Sequence, residues 1–97
     1  MSKPISKSKV EIFDEVVAIL SRRVVRAVLR AKRETLLRGK MWENMMDSIR
    51  FTADLVVTQL DRDEFDFEKW DSNHGSFWAS VAITRASRWP LRIESYL

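Results

Sequence analysis

The sequence predicts an all-α protein: a small bundle of three to four helices with a long N-terminal helix, expected to form a dimer. Apolar residues recur at steps of three and four over two long segments, which is the period of a helix. The 97 residues include only two glycines and two prolines, whereas an all-β fold needs turn residues about every 8–12 positions. A composition that is 45% hydrophobic and 32% charged is typical of one globular domain.

The first helix is expected over residues 8–38, after a flexible N-terminus at 1–7, with a break near residue 21 as the alternative. Its main apolar stripe has positions three or four apart: Val10, Phe13, Val17, Leu20, Val24, Ala27, Val28 and Ala31. A second apolar set widens this face in the first half: Ile12, Val16 and Ile19. Gly39 is expected to end the helix, because glycine tolerates the left-handed conformation of a C-terminal cap. An unbroken helix of this length measures about 45 Å and would overhang a small globule, which favours a dimer.

The second helix is expected over residues 41–60. Its apolar stripe again follows a helical period: Trp42, Met45, Met46, Ile49, Ala53, Val56 and Leu60. One flank carries carboxylates: Glu43, Asp47, Asp54 and Asp61. On the far side, Phe51 and Leu55 form a separate pair one turn apart. This pair needs cover, and the C-terminal third of the chain is expected to supply it.

An acidic loop is predicted over residues 61–75. Within it, Asp66 is expected to cap a short helix that carries Phe67 and Trp70. The run of carboxylates resembles a calcium loop in charge only. Phe65 or Asp66 stands where such a loop needs glycine, so no metal site is predicted. A nucleic-acid mimic is disfavoured as well, because the chain has a net charge of +3.

The third helix is expected over residues 76–88, with Asn73 or Ser76 as its N-cap. It must stop before Pro90, because the residue before a proline is pushed out of the helical region. Residues 89–97 are expected to form a short tail in which weak alternation indicates extended structure.

A basic segment precedes the acidic loop. Residues 22–40, RRVVRAVLRAKRETLLRGK, contain eight cations and one carboxylate. Four arginines fall within an arc of about 80° on a helix and form the candidate binding site: Arg22, Arg26, Arg30 and Arg33. This face would suit the phosphates of DNA or RNA, an acidic protein surface or a second subunit. The simpler interpretation is a solvated face, or one paired internally with the acidic flank of the second helix.

Catalytic chemistry has little support. The chain has no cysteine, which removes disulfides, thiolate nucleophiles and zinc fingers. His74 is the only histidine, and no nucleophile motif or phosphate-binding glycine loop accompanies it. We therefore expect His74 to cap a helix or face solvent. No catalytic residue, cofactor or metal ligand is predicted.

Several aromatic residues are candidates for the core or for an interface. Trp42 and Phe77 are expected in the core. Trp89 is expected to be exposed, and with Phe51 and Leu55 it forms the candidate protein interface.

The sequence predicts a non-enzymatic small regulatory or inhibitory protein that acts through protein–protein interaction. The alternative is a helical nucleic-acid-binding protein that uses the basic face of residues 22–40. No signal peptide or membrane span is predicted, and Val and Ala opposite the basic face would insert poorly into a lipid surface. A cytoplasmic homo-oligomer without a cofactor is the expected form.

Overall fold

The computed structural model describes residues 7–86 and 93–97. Within these ranges every regular element is helical and there is no strand, which confirms the all-α prediction. The elements are, in order, α1 (Lys9–Arg30), a 3-10 turn (Glu34–Leu37), α2 (Gly39–Gln59), α3 (Phe67–Trp70), a π-helical segment (Asp71–Gly75), α4 (Ser76–Ala86) and a second 3-10 turn (Glu94–Tyr96).

Helix α1 is continuous across residue 21. The hydroxyl of Ser8 caps it by accepting a hydrogen bond from the backbone N–H of Glu11 at 3.1 Å. A serine in this position satisfies one of the backbone donors that a helix leaves free at its start. The alternative of two helices joined near residue 21 is therefore wrong.

The C-terminal end of α1 lies eight residues before the predicted one. Lys32 has a φ of 56°, and the backbone N–H of Arg33 donates to the carbonyl of Val28 at 3.0 Å. This is the left-handed cap that usually contains glycine. Gly39 is left-handed too, with a φ of 58°, but it opens α2 instead of ending α1.

Helices α1, α2 and α4 pack against one another around a single core. The short connection between α1 and α2 makes them antiparallel neighbours, and the hydroxyl of Ser21 lies 3.7 Å from the sulfur of Met46 across their contact. The buried apolar residues are Ile12, Val16, Ile19, Leu20, Val24, Ala27, Val28, Leu36, Met45, Ile49, Ala53, Val56, Val57, Trp70, Ala79, Ala82, Ile83 and Ile93.

The buried side of α1 is centred on the residues that were expected only to widen its apolar face. Ile12, Val16 and Ile19 are fully buried, whereas Val10, the first residue of the predicted stripe, is 68% exposed. Two helices cover α1, so its buried sector is broad. This breadth moves the centre of the face away from the predicted stripe.

Small side chains bring α2 and α4 close together. The buried hydroxyl of Ser48 donates to the carbonyl of Ala82 at 2.6 Å, and that of Thr52 donates to the carbonyl of Ser48 at 2.7 Å. Both hydroxyls are thus satisfied inside the bundle, where an unpaired one would cost about 1–3 kcal/mol. The bond from Ser48 to Ala82 sets Ser48 of α2 beside Ala82 of α4.

The acidic loop is shorter than predicted, because helical structure resumes at Phe67. Asp66 caps it as expected, its Oδ1 accepting from the backbone N–H of Lys69 at 3.1 Å. The helix then runs through the π-helical segment into α4 without a break. Asn73 and Ser76 lie inside this continuous helical stretch, so the predicted N-cap at either residue is wrong.

The described part of the tail, residues 93–97, is not extended. It forms a 3-10 turn, and Ile93 is fully buried in the core. Burial of one large aliphatic side chain explains why this segment packs on the bundle. The predicted flexible N-terminus falls largely on residues 1–6, and Trp89 and the expected end of the third helix fall on 87–92. Both ranges lie outside the described residues.

Candidate interaction surfaces

The four candidate arginines do not share one helix face. Arg22, Arg26 and Arg30 lie one turn apart on α1, but Arg33 follows the left-handed cap and is outside the helix. Among the described residues, Arg26 has no hydrogen bond or ion pair, and its side chain is exposed. We call Arg22, Arg26 and Arg30 the basic face.

Two members of the basic face have local partners. Arg22 lies 3.6 Å from a carboxylate oxygen of Asp71 and is half exposed, with its guanidinium 5.7 Å from the ring centre of Phe67. Arg30 donates to the backbone carbonyl of Tyr96 at 3.1 Å. Exposed contacts of this kind contribute less than about 1 kcal/mol each. They orient the side chains without neutralising the surface.

The shortest ion pair among the described residues involves an arginine outside the candidate site. Arg23 Nε lies 2.5 Å from Asp71 Oδ1, and Arg23 Nη2 donates to the Asp71 backbone carbonyl at 3.0 Å. Both side chains are about three-quarters buried. The predicted pairing with α2 carboxylates is not seen among the described residues, where Asp47 pairs with Arg50 of its own helix at 3.6 Å.

Gly75 makes room for this ion pair. A Cβ atom at Gly75 would overlap Asp71 Oδ1 and would lie 2.6 Å from Arg23 Nε. The pair therefore packs directly on the backbone of the π-helical segment, a widened turn of a kind often found at functional sites. In the sequence, the signal for this contact is the position of Gly75 directly before the predicted start of the third helix at residue 76.

Two oppositely charged segments lie at the two ends of α2. The first, the basic turn, comprises residues 32–40, with four cations and one carboxylate. The second, the acidic loop, comprises residues 61–66, with four carboxylates and one cation. All ten of these charged residues are exposed. The bundle therefore carries a positive and a negative end along α2.

A second surface consists of apolar and aromatic side chains on α2 and α4. Phe77 is 64% exposed, so its predicted place in the core is wrong, whereas Trp42 packs partly buried against the core as expected. Phe51 is 49% exposed and Leu55 is half-buried. The C-terminal third covers this pair incompletely.

Two side-chain contacts and the spacing along α4 relate Phe51 to Trp78 and Phe77. The guanidinium of Arg85 stacks on the ring of Phe51, 3.9 Å from its centre. Trp78, Val81 and Arg85 share one side of α4, because they lie at positions i, i+3 and i+7. Phe77 packs edge-on against Trp78, with ring centres 5.2 Å apart.

We call this surface the aromatic face. It consists of Phe51, Leu55, Phe77, Trp78 and Val81, bordered by Arg85. Sequence reasoning found the first two and missed the others. The sequence signal for Trp78, Val81 and Arg85 is their i, i+3, i+7 spacing on α4, and this spacing identifies a face only when α4 is known to lie beside α2.

His74 is exposed beside the acidic loop. An open depression between the acidic loop and α3 is lined by His74, Trp70, Phe65 and Leu60, together with several carboxylates. His74 packs near Trp70, with ring centres 6.3 Å apart. In the part of the chain that the structure describes, no three histidine or carboxylate side chains are placed to hold a metal ion.

None of the helices at 7–86 or 93–97 is long and apolar enough to cross a membrane. No protein-family model, curated protein or solved structure matches this chain.

Proposed function

We propose that this chain is a non-enzymatic protein-interaction module, a small regulatory or inhibitory protein that covers a surface of its partner with the aromatic face. The observation that supports this proposal is the exposure of Phe51 and Phe77 on a bundle whose core is already filled by other residues. Exposed apolar patches on small proteins commonly mark interaction sites. The cysteine-free composition fits a reducing compartment such as the cytoplasm.

The exposed fractions of Phe51 and Phe77 determine how much free energy a partner gains by burying these two rings. A phenylalanine side chain offers about 200 Å² of surface, so exposures of 49% and 64% leave roughly 230 Å² in water. Burying that area at about 25 cal/mol per Å² corresponds to roughly 5–6 kcal/mol. Part of this is offset by the entropy lost on association, and both rings are therefore needed for useful affinity.

Arg85 suits the border of such a face. Arginine is enriched at protein interfaces, and a guanidinium on an aromatic ring remains available to a carboxylate of a partner. Its position over Phe51 also shields one side of that ring from water in the free protein. A partner with an acidic rim around an apolar centre would match this arrangement.

The test compares capture of proteins from a lysate by three forms of the chain. The double variant Phe51→Ser/Phe77→Ser removes the aromatic face. The control, Val10→Ser, changes an equally exposed apolar residue on α1. We expect a partner that the wild type and Val10→Ser both retain and that the double variant loses. An identical set of bound proteins for all three forms would refute the proposal.

Nucleic-acid binding is the second candidate function. It is supported by the exposed Arg26 side chain, which has no partner among the described residues, and by the basic turn that follows α1. A contact set of about four phosphates gives a slope near −3.6 in a plot of log K against log salt on duplex DNA. We expect the variant Arg26→Glu/Arg30→Glu to abolish this binding. The absence of any binding at low salt would remove this candidate.

A further inference from the structure

The open depression beside His74 has the size of one side chain. Its volume is about 230 Å³, which is below the roughly 300–1,000 Å³ of sites that enclose a whole small molecule. Because the depression is open to solvent, a group can enter it while the rest of its ligand stays outside. We call this cavity the His74 depression.

Three rings line the His74 depression: Phe65, Trp70 and His74. Trp70 is buried, Phe65 is half-buried and His74 is exposed. The ring centre of Trp70 lies 6.4 Å from that of Phe65 and 6.3 Å from that of His74, with tilts of 49° and 43°. Rings tilted in this way do not cover one another. Part of each ring surface therefore remains available to a group in the cavity, and ring faces attract cations.

The rim of the His74 depression is negative. Three carboxylates line it, Asp61, Glu64 and Asp66, against one cation, Lys69. With His74 neutral, three negative charges and one positive give a net charge of −2. An aromatic wall inside a negative rim suits a ligand that combines an apolar stem with a positive charge.

The carboxylates keep oxygen atoms for a ligand. Asp61 and Asp66 each accept one backbone hydrogen bond through Oδ1, at 3.0 Å and 3.1 Å. Among the described residues, the Oδ2 atoms of both and the two oxygens of Glu64 have no hydrogen bond. A cation in the depression can therefore be bound by these oxygens without breaking a bond of the folded chain.

A lysine of the chain itself indicates which cation the aromatic wall accepts. Lys7 Nζ lies 5.6 Å from the ring centre of Phe65, within the range of a cation–π contact. The same ammonium pairs with Glu15 at 2.9 Å. Because Glu15 holds it, Lys7 does not neutralise the carboxylates of the His74 depression.

We propose that the His74 depression binds an alkylammonium group, with the apolar stem against the rings and the positive charge against the carboxylates. A lysine side chain of another polypeptide and a small aliphatic amine both carry this group. The depression shares no residue with the aromatic face. The proposal thus goes beyond the proposed function and does not rest on it.

A titration of the full chain followed by ¹H–¹⁵N NMR tests the site. The probe is N-acetyl-lysine methylamide, and the control ligand is N-acetyl-norleucine methylamide, which keeps the alkyl chain but lacks the ammonium. We expect the probe to shift the amide signals of residues 60–74 in a saturable way, with a dissociation constant on the order of millimolar. The control ligand should show no saturation below about 20 mM. Equal responses to both ligands would overturn the proposal.

Matched charge variants test the location of the site. Asp61→Asn/Glu64→Gln removes two of the three carboxylates, while the new amide at position 61 can still accept the local backbone hydrogen bond. We expect this variant to bind the probe about 2–30-fold more weakly. The control, Glu43→Gln/Asp54→Asn, removes the same charge from exposed positions of α2 outside the depression. It should bind like the wild type, and an equal loss in both variants would overturn the assignment to the depression.

The aromatic wall is tested by Phe65→Leu. This substitution keeps an apolar side chain but removes the ring face, so we expect it to weaken binding of the probe by about 2–30-fold. Circular dichroism establishes that the variant is folded. An unchanged affinity in the folded variant would contradict a contact between the ammonium and the ring.

A second ammonium ligand distinguishes the two sources of the group. The ion n-butylammonium has the stem and the charge but no peptide units. Tighter binding of the lysine derivative identifies a polypeptide as the source, and tighter binding of n-butylammonium identifies a free amine. No saturable shift with either ligand would overturn the proposal. Phe51→Ser/Phe77→Ser should bind both ligands like the wild type, so failure of the proposed function would leave this result intact.

Discussion

Replacing Gly75 by alanine should destabilise the bundle, although alanine is normally the better helix former. A methyl group at this position overlaps Asp71 Oδ1 and lies 2.6 Å from Arg23 Nε. The ion pair must then move away from the backbone, with loss of about one charge-assisted hydrogen bond. Such a bond contributes about 1.5–3 kcal/mol.

The higher helix propensity of alanine offsets about 1 kcal/mol of this loss. We therefore expect Gly75→Ala to lower the free energy of unfolding by about 0.5–2 kcal/mol, which corresponds to a fall of roughly 2–15 °C in Tm for a domain of this size. Thermal unfolding followed by circular dichroism measures this change. Ser76→Ala, at the exposed neighbouring position, is the matched control and should change stability by less than about 0.5 kcal/mol.

The same substitution in a variant that lacks the ion pair identifies the cause of the destabilisation. In Arg23→Met/Asp71→Ser the ion pair is absent, so the added methyl group has space, and Gly75→Ala should become neutral or slightly stabilising. If Gly75→Ala is as destabilising in this background as in the wild type, the glycine serves the π-helical segment itself. The assignment of Gly75 to the ion pair would then be refuted.

Three further substitutions test other parts of the fold by denaturant unfolding. Lys32→Gly should stabilise the protein by about 0.5–1 kcal/mol, because glycine adopts the left-handed conformation without strain; a loss would contradict the cap. Ile93→Ala should destabilise it by about 2–4 kcal/mol, since Ile93 is fully buried, and an unchanged stability would mean that the tail does not pack on the core. Ser48→Ala should cost about 1 kcal/mol through the lost bond to Ala82, whereas no change would argue against the close contact of α2 and α4.

The second helix was the most predictable part of the fold. Residues 41–60 were expected and Gly39–Gln59 are observed, because one continuous apolar stripe is enough to define a helix. The cap at Asp66 was equally local, since it depends on a side chain and a backbone N–H three residues later. Features that depend on a few neighbouring residues could therefore be predicted from the sequence.

The end of α1 depends on tertiary packing. Glycine at position 39 is a good candidate for a left-handed residue, and it is left-handed, but Lys32 adopts that conformation first. Leu36 is buried in the core, so the chain must leave the helix before reaching it. A sequence pattern cannot reveal that the core lies in this direction.

The candidate site was only partly predictable for the same reason. Adjacent helical residues point about 100° apart, so Phe77 and Trp78 compete for one covered position. Trp78 is the more buried of the two, and Phe77 is left in solvent. Similarly, Asp71 is the partner of Arg23 because the π-helical segment lies against α1. Predicting this ion pair requires knowledge of the three-dimensional packing.

Site-specific cross-linking tests the central claim, protein binding through the aromatic face, most directly. The chain has no cysteine, so Phe77→Cys gives a single attachment site for a photo-crosslinking reagent on the face, and Val10→Cys gives an equally exposed control site on α1. We expect a cross-linked protein product from Phe77→Cys in a lysate and no such product from Val10→Cys. The same products from both sites, or none from Phe77→Cys, would contradict the account.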